Sequence, residues 1–190
     1  MERSLHAIGG AVSRESPEAF AQAYDEHVWN VYGFFGYRLG SREEVEDLTQ
    51  LTFERALRAW GRFDERRANV RTWLLVIAHN LLVDHYRSKA AARHDPIPSG
   101  EAGDNILGQA EPLDQRLGLS PELETALNAL DGRERELLAL RFGGDLTGRE
   151  IAELTGLSLA NVQQILSRVL RKLRSELEST AEAEPAETPH

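Results

Sequence analysis

The chain contains no cysteine, so it can form no disulfide, no thiolate zinc site and no cysteine nucleophile. Any redox or zinc sensing would then reside in a partner. It also lacks an apolar run approaching the roughly 18 residues of a membrane-spanning helix. The N-terminus, MERSLHAIGGAVSRESPEAF, does not follow the basic-then-apolar order of a signal peptide, and a cytoplasmic location is expected. Strand signals are missing too: no run alternates apolar and polar residues, and no hairpin dipeptide joins apolar runs. The fold is therefore expected to be all-α. With 190 residues, 41% of them hydrophobic, the chain has enough apolar surface for compact cores.

The net charge of −9 argues at first against a nucleic-acid partner, but acid and base are segregated. From His94 to Leu119, Asp95, Glu101, Asp104, Glu111 and Asp114 face a single base, Arg116, and the tail after Ser175 has Glu but no Lys or Arg. Phe53 to Arg93 is locally basic. Leu154 to Ser175 carries Arg168, Arg171, Lys172 and Arg174 with no acid at all. Two basic surfaces thus sit inside an acidic chain.

Pro, Gly and acids in PIPSGEAGDNILGQAEPLDQ, with no sustained period, mark a flexible acidic linker and divide the chain into two small helical domains. The expected division is a flexible N-terminus over 1–15, a first domain over 16–93, the linker over 94–119, a second domain over 120–178 and a disordered acidic tail over 179–190. In the first domain Ser16-Pro17-Glu18 starts a helix in which Phe20, Tyr24, Val28, Val31, Phe35 and Leu39 recur at helical spacing up to Gly40. Ser41 to Glu44 has capping-box spacing ahead of a second helix, whose inner stripe is Val45, Leu48, Thr52, Phe53, Ala56, Leu57 and Trp60. A third, from about Val70 to Lys89, opens nearly apolar all round with WLLVIA and suits the centre of a bundle. Trp60, Phe63 and Trp73 fall on or beside apolar stripes and read as core.

The second domain repeats the capping-box spacing at Asp131–Glu134, ahead of a helix bearing Leu137, Leu138, Leu140 and Phe142, and again at Thr147–Glu150. The latter opens a short helix that Gly156 ends, and Ser158 caps the next. Ala152, small where helices cross, the turn residue Gly156 and the anchors Val162 and Ile165 have the spacing of a helix-turn-helix. An acid-free second helix spares it repulsion from phosphate in a major groove.

The whole chain resembles a bacterial RNA polymerase sigma factor of the sigma-70 family, in its extracytoplasmic-function (ECF) group. EEVEDLTQLTFERALRAWGRFD followed by VRTWLLVIAHNLLVDHYR is similar to the region that grips polymerase and opens the −10 element. LNALDGRERELLALRFGGDLTGREIAELTGLSLANVQQILSRVLRKLR is similar to the region that reads the −35 element. The resemblance implies that Asp47, Gln50, Glu54 and Arg55 meet the clamp helices of the β′ subunit of core polymerase, with the β subunit a further contact. It implies that Arg62, Arg66, Arg67, Asn69, Arg71, Asn80, Asp84 and Arg87 hold the melted −10 strand. Arg149, Ser158, Asn161, Gln163, Gln164, Arg168 and Arg171 would contact the −35 duplex. An anti-sigma factor is a further expected partner; no catalytic residue, metal or cofactor is expected.

Two departures from the family pattern stand out. Gln163 and Ile165 occupy positions where the family often carries Lys and Arg, and Leu51 stands where the clamp-binding motif often has an acid. Gln can bond adenine N6 and N7 as a pair, so Asn161, Gln163 and Gln164 are expected to read bases while Arg168 and Arg171 hold phosphates. The rival readings are a stand-alone helix-turn-helix regulator and a sigma-like protein acting through protein contact alone. A hydrolytic or metal site at His79, Asp84 and His85 fails on geometry, because five residues turn His79 and Asp84 away from each other on a helix.

Overall fold

The computed structural model describes residues 17–92 and 120–183, with side chains described to 178. The expected N-terminal extension, the linker, the Ser16 cap and residues 184–190 lie outside the described residues. Among the described residues every regular element is helical. In the first domain α1 spans Pro17–Gly36, α2 Arg42–Ala59 and α3 Val70–Ala92, with a single 3-10 turn at Trp60–Arg62 after α2. In the second, α4 spans Pro121–Asn128, α5 Gly132–Leu138, a π-helical turn Ala139–Gly143, α6 Gly148–Thr155 and α7 Leu159–Ala183.

The helix ends show which local signals the fold uses. Asp131 and Thr147 each form a complete capping box, their side chains accepting from the N–H groups of Glu134 and Glu150, which reach back in turn. Gly156 takes φ 72°, the left-handed region that closes α6, and Ser158 Oγ accepts from Asn161 N at 3.2 Å to start α7. The Ser41 box does not form. Ser41 is extended but makes no side-chain cap bond, because Glu44 is drawn to α3, 2.7 Å from Lys89 Nζ and 3.6 Å from His85 Nε2. Two ends also move. α1 stops at Gly36, four residues before Gly40, although Leu39 stays buried in the following turn. α7 runs on to Ala183, into the segment expected to lack order, because its Ala and Glu residues are good helix formers continuing an established helix.

α4 was not visible as a separate helix from apolar spacing. Its start is nonetheless a Ser-Pro pair, with Ser120 Oγ accepting from Leu123 N and Pro121 in the first turn.

The two domains share one core. Val31, Phe34, Phe35 and Leu39 pack with Leu74, Leu75, Leu81 and Leu82, and the same cluster continues into Leu137, Leu140, Leu146, Ile151 and Val162. A smaller cluster of Leu127, Leu130, Leu138, Val169 and Leu173 holds α4, α5 and α7 together. The π turn lies against α1, and the approach is close enough to need two glycines: a Cβ on Gly143 would sit 2.5–2.6 Å from Gly33 C and O and Phe34 N. Trp60, Phe63 and Trp73 pack on one another, with Trp60 and Phe63 stacked at 5.6 Å, as the apolar stripes require.

Candidate polymerase and nucleic-acid interface

Three surfaces carry the residues singled out by sequence. The first is α2. Asp47, Gln50 and Glu54 recur at three and four residues and so share one exposed face. Gln50 Nε2 donates to Glu54 Oε1 at 3.1 Å, and Arg58 lies 3.8 Å from Glu54, so the face is polar but internally tied. Arg55 is turned about a quarter of the helix away and stands 3.7 Å from Asp84 of α3. Two residues expected on different partners are thus paired with each other.

Beside this face, α1 and α2 flank a groove of about 770 Å³ lined by Tyr24, Val28, Trp29, Phe53 and Leu57, together with Gln50 and Glu54. Trp29 is 75% exposed, Leu57 56% and Tyr24 43%. Leu57, expected on the inner stripe of α2, lines the groove instead, and Tyr24, which recurs at the helical spacing of α1, lines it too. Trp29 belongs to none of the apolar stripes or motifs of the sequence. Its lone position off the α1 stripe was the available signal, since a large aromatic on a polar face marks contact surface.

The second surface runs from the 62–69 loop along α3. Arg62, Arg66 and Arg67 are exposed. Asp64 fixes Arg66 by two bonds, Nε to Oδ1 at 2.9 Å and Nη2 to Oδ2 at 3.0 Å, and that side-chain bond with the Arg66 N–H holds the Asp64 carboxyl below its usual range. Asn80, Asp84 and Arg87 lie three and four residues apart on the exposed side of α3. Asn69 and Arg71 do not join them. Asn69 Nδ2 donates to Glu150 Oε1 at 2.8 Å and Arg71 Nη1 to Asp145 Oδ2 at 2.6 Å, both acids belonging to the second domain.

The third surface is the helix-turn-helix. Arg149, Ser158, Asn161, Gln163, Gln164, Arg168 and Arg171 are all exposed, while Val162 and Val169 on the opposite side of α7 are fully buried. Arg168 Nε stands 3.3 Å from Glu134 within its own domain. Phe142 is 50% exposed because the π turn rotates it out of register with the buried Leu137 and Leu140.

Buried charge concentrates where the domains meet. Glu136 has no exposed surface, yet its carboxyl stays below the ordinary range. Burial pushes it up, but the hydrogen bond and charge of His79, whose Nε2 is 2.9 Å away, with the charges of Arg38 and Arg133, outweigh that. Glu150 behaves alike: burial raises it, while bonds from Thr147, Thr72 and Asn69 bring it to about 2. The guanidinium of Arg135, buried and repelled by Arg38, falls to about 10. Among the described residues no group of three His, Asp or Glu side chains could hold a metal, and no helix is long and apolar enough to cross a membrane.

Comparison with known proteins follows this division of surfaces. The family profile of sigma-70 region 2 matches residues 23–92 and that of sigma-70 region 4 matches residues 126–175. The ECF RNA polymerase sigma factor BldN of Streptomyces coelicolor is 32% identical over 173 residues, covering 90% of this chain and 64% of that protein's length. The RNA polymerase sigma factor YlaC of Bacillus subtilis is 27% identical over 168 residues, 88% of this chain and 96% of that protein. In three dimensions the sigma factor RpoE of Bartonella quintana, solved with the anti-sigma factor NepR, aligns at a TM-score of 0.65 with 18% identity, covering 85% of this chain and 98% of that one.

Proposed function

Because the chain belongs to the sigma-70 family of RNA polymerase sigma factors, in its extracytoplasmic-function group, we propose a residue-level division of the work of initiation. As a sigma factor the chain acts with core RNA polymerase and promoter DNA and catalyses no reaction itself. Asp47, Gln50 and Glu54 meet the β′ clamp helices, and the groove beside them takes apolar side chains of the same helices around Trp29. Arg55 joins that contact once it leaves Asp84. Arg62, Arg66, Arg67, Asn80, Asp84 and Arg87 track the melted −10 strand, a basic path with an Asn able to bond an extruded base. Asn69 and Arg71 complete that reader when the second domain moves off them.

In the second domain Asn161, Gln163 and Gln164 read −35 bases from the exposed face of α7, while Arg149, Ser158, Arg168 and Arg171 hold phosphates. The work is cytoplasmic, and an anti-sigma factor is the partner expected beyond polymerase, by likeness to the sigma factor solved with one. The observation that carries the reading is the pairing of a region 2 domain with an exposed α2 face and a region 4 domain whose recognition helix presents no acid to DNA from Leu159 to Ser175.

Reconstitution with bacterial core polymerase tests it. The purified chain should co-elute with core and direct specific transcripts from a library of fragments of its own genome, and the transcripts should share an upstream pair of elements. Core binding without specific transcripts would favour a protein acting by contact alone. No core binding by folded protein would overturn the reading in favour of a stand-alone regulator.

A further inference from the structure

Glu134 does more than begin α5. Its Oε2 accepts from the Asp131 N–H at 3.2 Å, and its own N–H donates to Asp131 Oδ1 at 2.8 Å, which completes the capping box. That task needs an acceptor and no charge, since Gln serves at this position of a capping box as Glu does. The charge faces α7 instead. Oε1 stands 3.3 Å from Arg168 Nε and Oε2 3.8 Å from Lys172 Nζ, two bases one turn apart on the helix assigned to the −35 duplex. The Glu134 side chain is only 9% exposed, so salt screens this attraction less than it would a surface pair.

The two bases are held differently. Lys172 Nζ also donates at 2.6 Å to the carbonyl of Ala129, the residue that ends α4, so its ammonium is committed to the fold. Arg168 meets Glu134 through Nε, the inner nitrogen of the guanidinium, while its side chain is 58% exposed. An arginine held at Nε keeps its two terminal amino groups, with four N–H donors in one plane, for a second anion. Asp64 shows the contrasting arrangement, because both of its oxygens are engaged by Arg66, at Nε and at Nη2. Glu134 cannot close on Arg168 in that way without giving up its cap, since Oε2 is taken by the Asp131 N–H.

We propose that Glu134 is a positioning residue for promoter binding: its carboxylate holds Arg168 at Nε and thereby presents the terminal amino groups as a preset fork to a phosphate of the −35 duplex. The inference rests on the assignment of Arg168 to phosphate given above. A long side chain loses rotamer freedom when it binds, and one already held loses less. Glu134 is thus an acid that favours DNA binding, whereas negative charge near phosphate ordinarily opposes it. The sign of its effect is diagnostic.

The test uses the full chain assembled with core polymerase and the promoter fragment recovered in the reconstitution above, with affinity read by competition binding across a salt series. Glu134→Gln keeps the cap acceptor and removes the charge. It should weaken binding about fivefold, the effect of immobilising one long side chain, where loss of a negative charge alone would strengthen it. Arg168→Ala should weaken binding and lower the slope of log affinity against log salt by about 0.9. In the Arg168→Ala background Glu134→Gln should cause no further loss. Both backgrounds carry the same altered cap, so this comparison removes any effect of Glu134→Gln on folding and decides even where the urea midpoint falls.

Tighter binding by Glu134→Gln alone, or an equal loss with and without Arg168, overturns the inference and leaves the phosphate assignment standing. Wild-type affinity and salt slope in Arg168→Ala overturn that assignment and the inference with it.

Discussion

His79→Ala should destabilise the whole chain by about 3 kcal/mol at neutral pH, although His79 belongs to the first domain and its partner to the second. Glu136 is fully buried, and the His79 ring beside it is only 15% exposed, at 2.9 Å. Removing one member of a buried pair costs about 3–5 kcal/mol, because the other is left charged without compensation. Arg133 Nη1 remains 3.1 Å from Glu136 Oε2, which moves the expected loss to the lower end of that range. Glu136→Gln removes the charge itself and should cost less, and the double variant should recover about 2 kcal/mol of the summed losses. The sign with pH follows from a carboxyl held below its ordinary value. Its contribution is complete above the unfolded value of about 4.3 and is lost as pH falls through the lower folded one, so the effect of His79→Ala should shrink in acid.

Urea unfolding at pH 7 and near pH 3.5 measures this, and the chain supplies its own probe. Trp29, Trp60 and Trp73 all lie in the first domain, so a shift of their fluorescence transition by Glu136→Gln registers inter-domain coupling directly. A loss under about 1 kcal/mol for His79→Ala, or single effects that add within about 0.5 kcal/mol, would refute the reasoning.

Thr147→Ala removes the cap of α6 and should cost about 1 kcal/mol, read from the urea midpoint. The Glu150 half of that box, held to about 2, should persist into mild acid and be lost only as pH falls from about 4.5 toward 2. Gln163→Ala should relax discrimination at one −35 base pair by about 1–3 kcal/mol with an unchanged salt slope, whereas Arg171→Ala should weaken all sequences alike and lower the slope by about 0.9; competition binding of holoenzyme across a salt series separates the two. Trp29→Ala should leave the unfolding midpoint within about 0.5 kcal/mol yet weaken core polymerase binding by about 2 kcal/mol, roughly thirtyfold in a pull-down titration.

Much of this architecture is legible in the sequence, and the exceptions have physical causes. The helix-turn-helix could be read because each of its signals is local: Thr147 with Glu150, Gly156, and Ser158 act within a few residues of themselves. Ser41 and Glu44 have the same spacing and misled, since Lys89 and His85, more than forty residues away, compete for the Glu44 carboxylate. Tyr24 and Leu57 satisfy helical periodicity but line an open groove between α1 and α2, and periodicity cannot tell a groove wall from a packed centre. Asn69 and Arg71 suit DNA by type and place; that they face Glu150 and Asp145 respectively depends on how two domains dock, which no local pattern encodes. Gly33 and Gly143 pass unnoticed in sequence for the same reason, since neither needs an unusual φ and only their mutual approach demands them.

Glu150 divides its two oxygens between two tasks. Oε2 accepts from the Thr147 N–H at 2.8 Å and its hydroxyl at 2.7 Å, whereas Oε1 takes Asn69 and Thr72. The cap of α6 and the contact with the first domain are thereby carried by different oxygens of a single side chain. Removing the first-domain donors, as in Asn69→Ala with Thr72→Ala, should free one oxygen and leave the other seated, so the first turn of α6 should keep its cap.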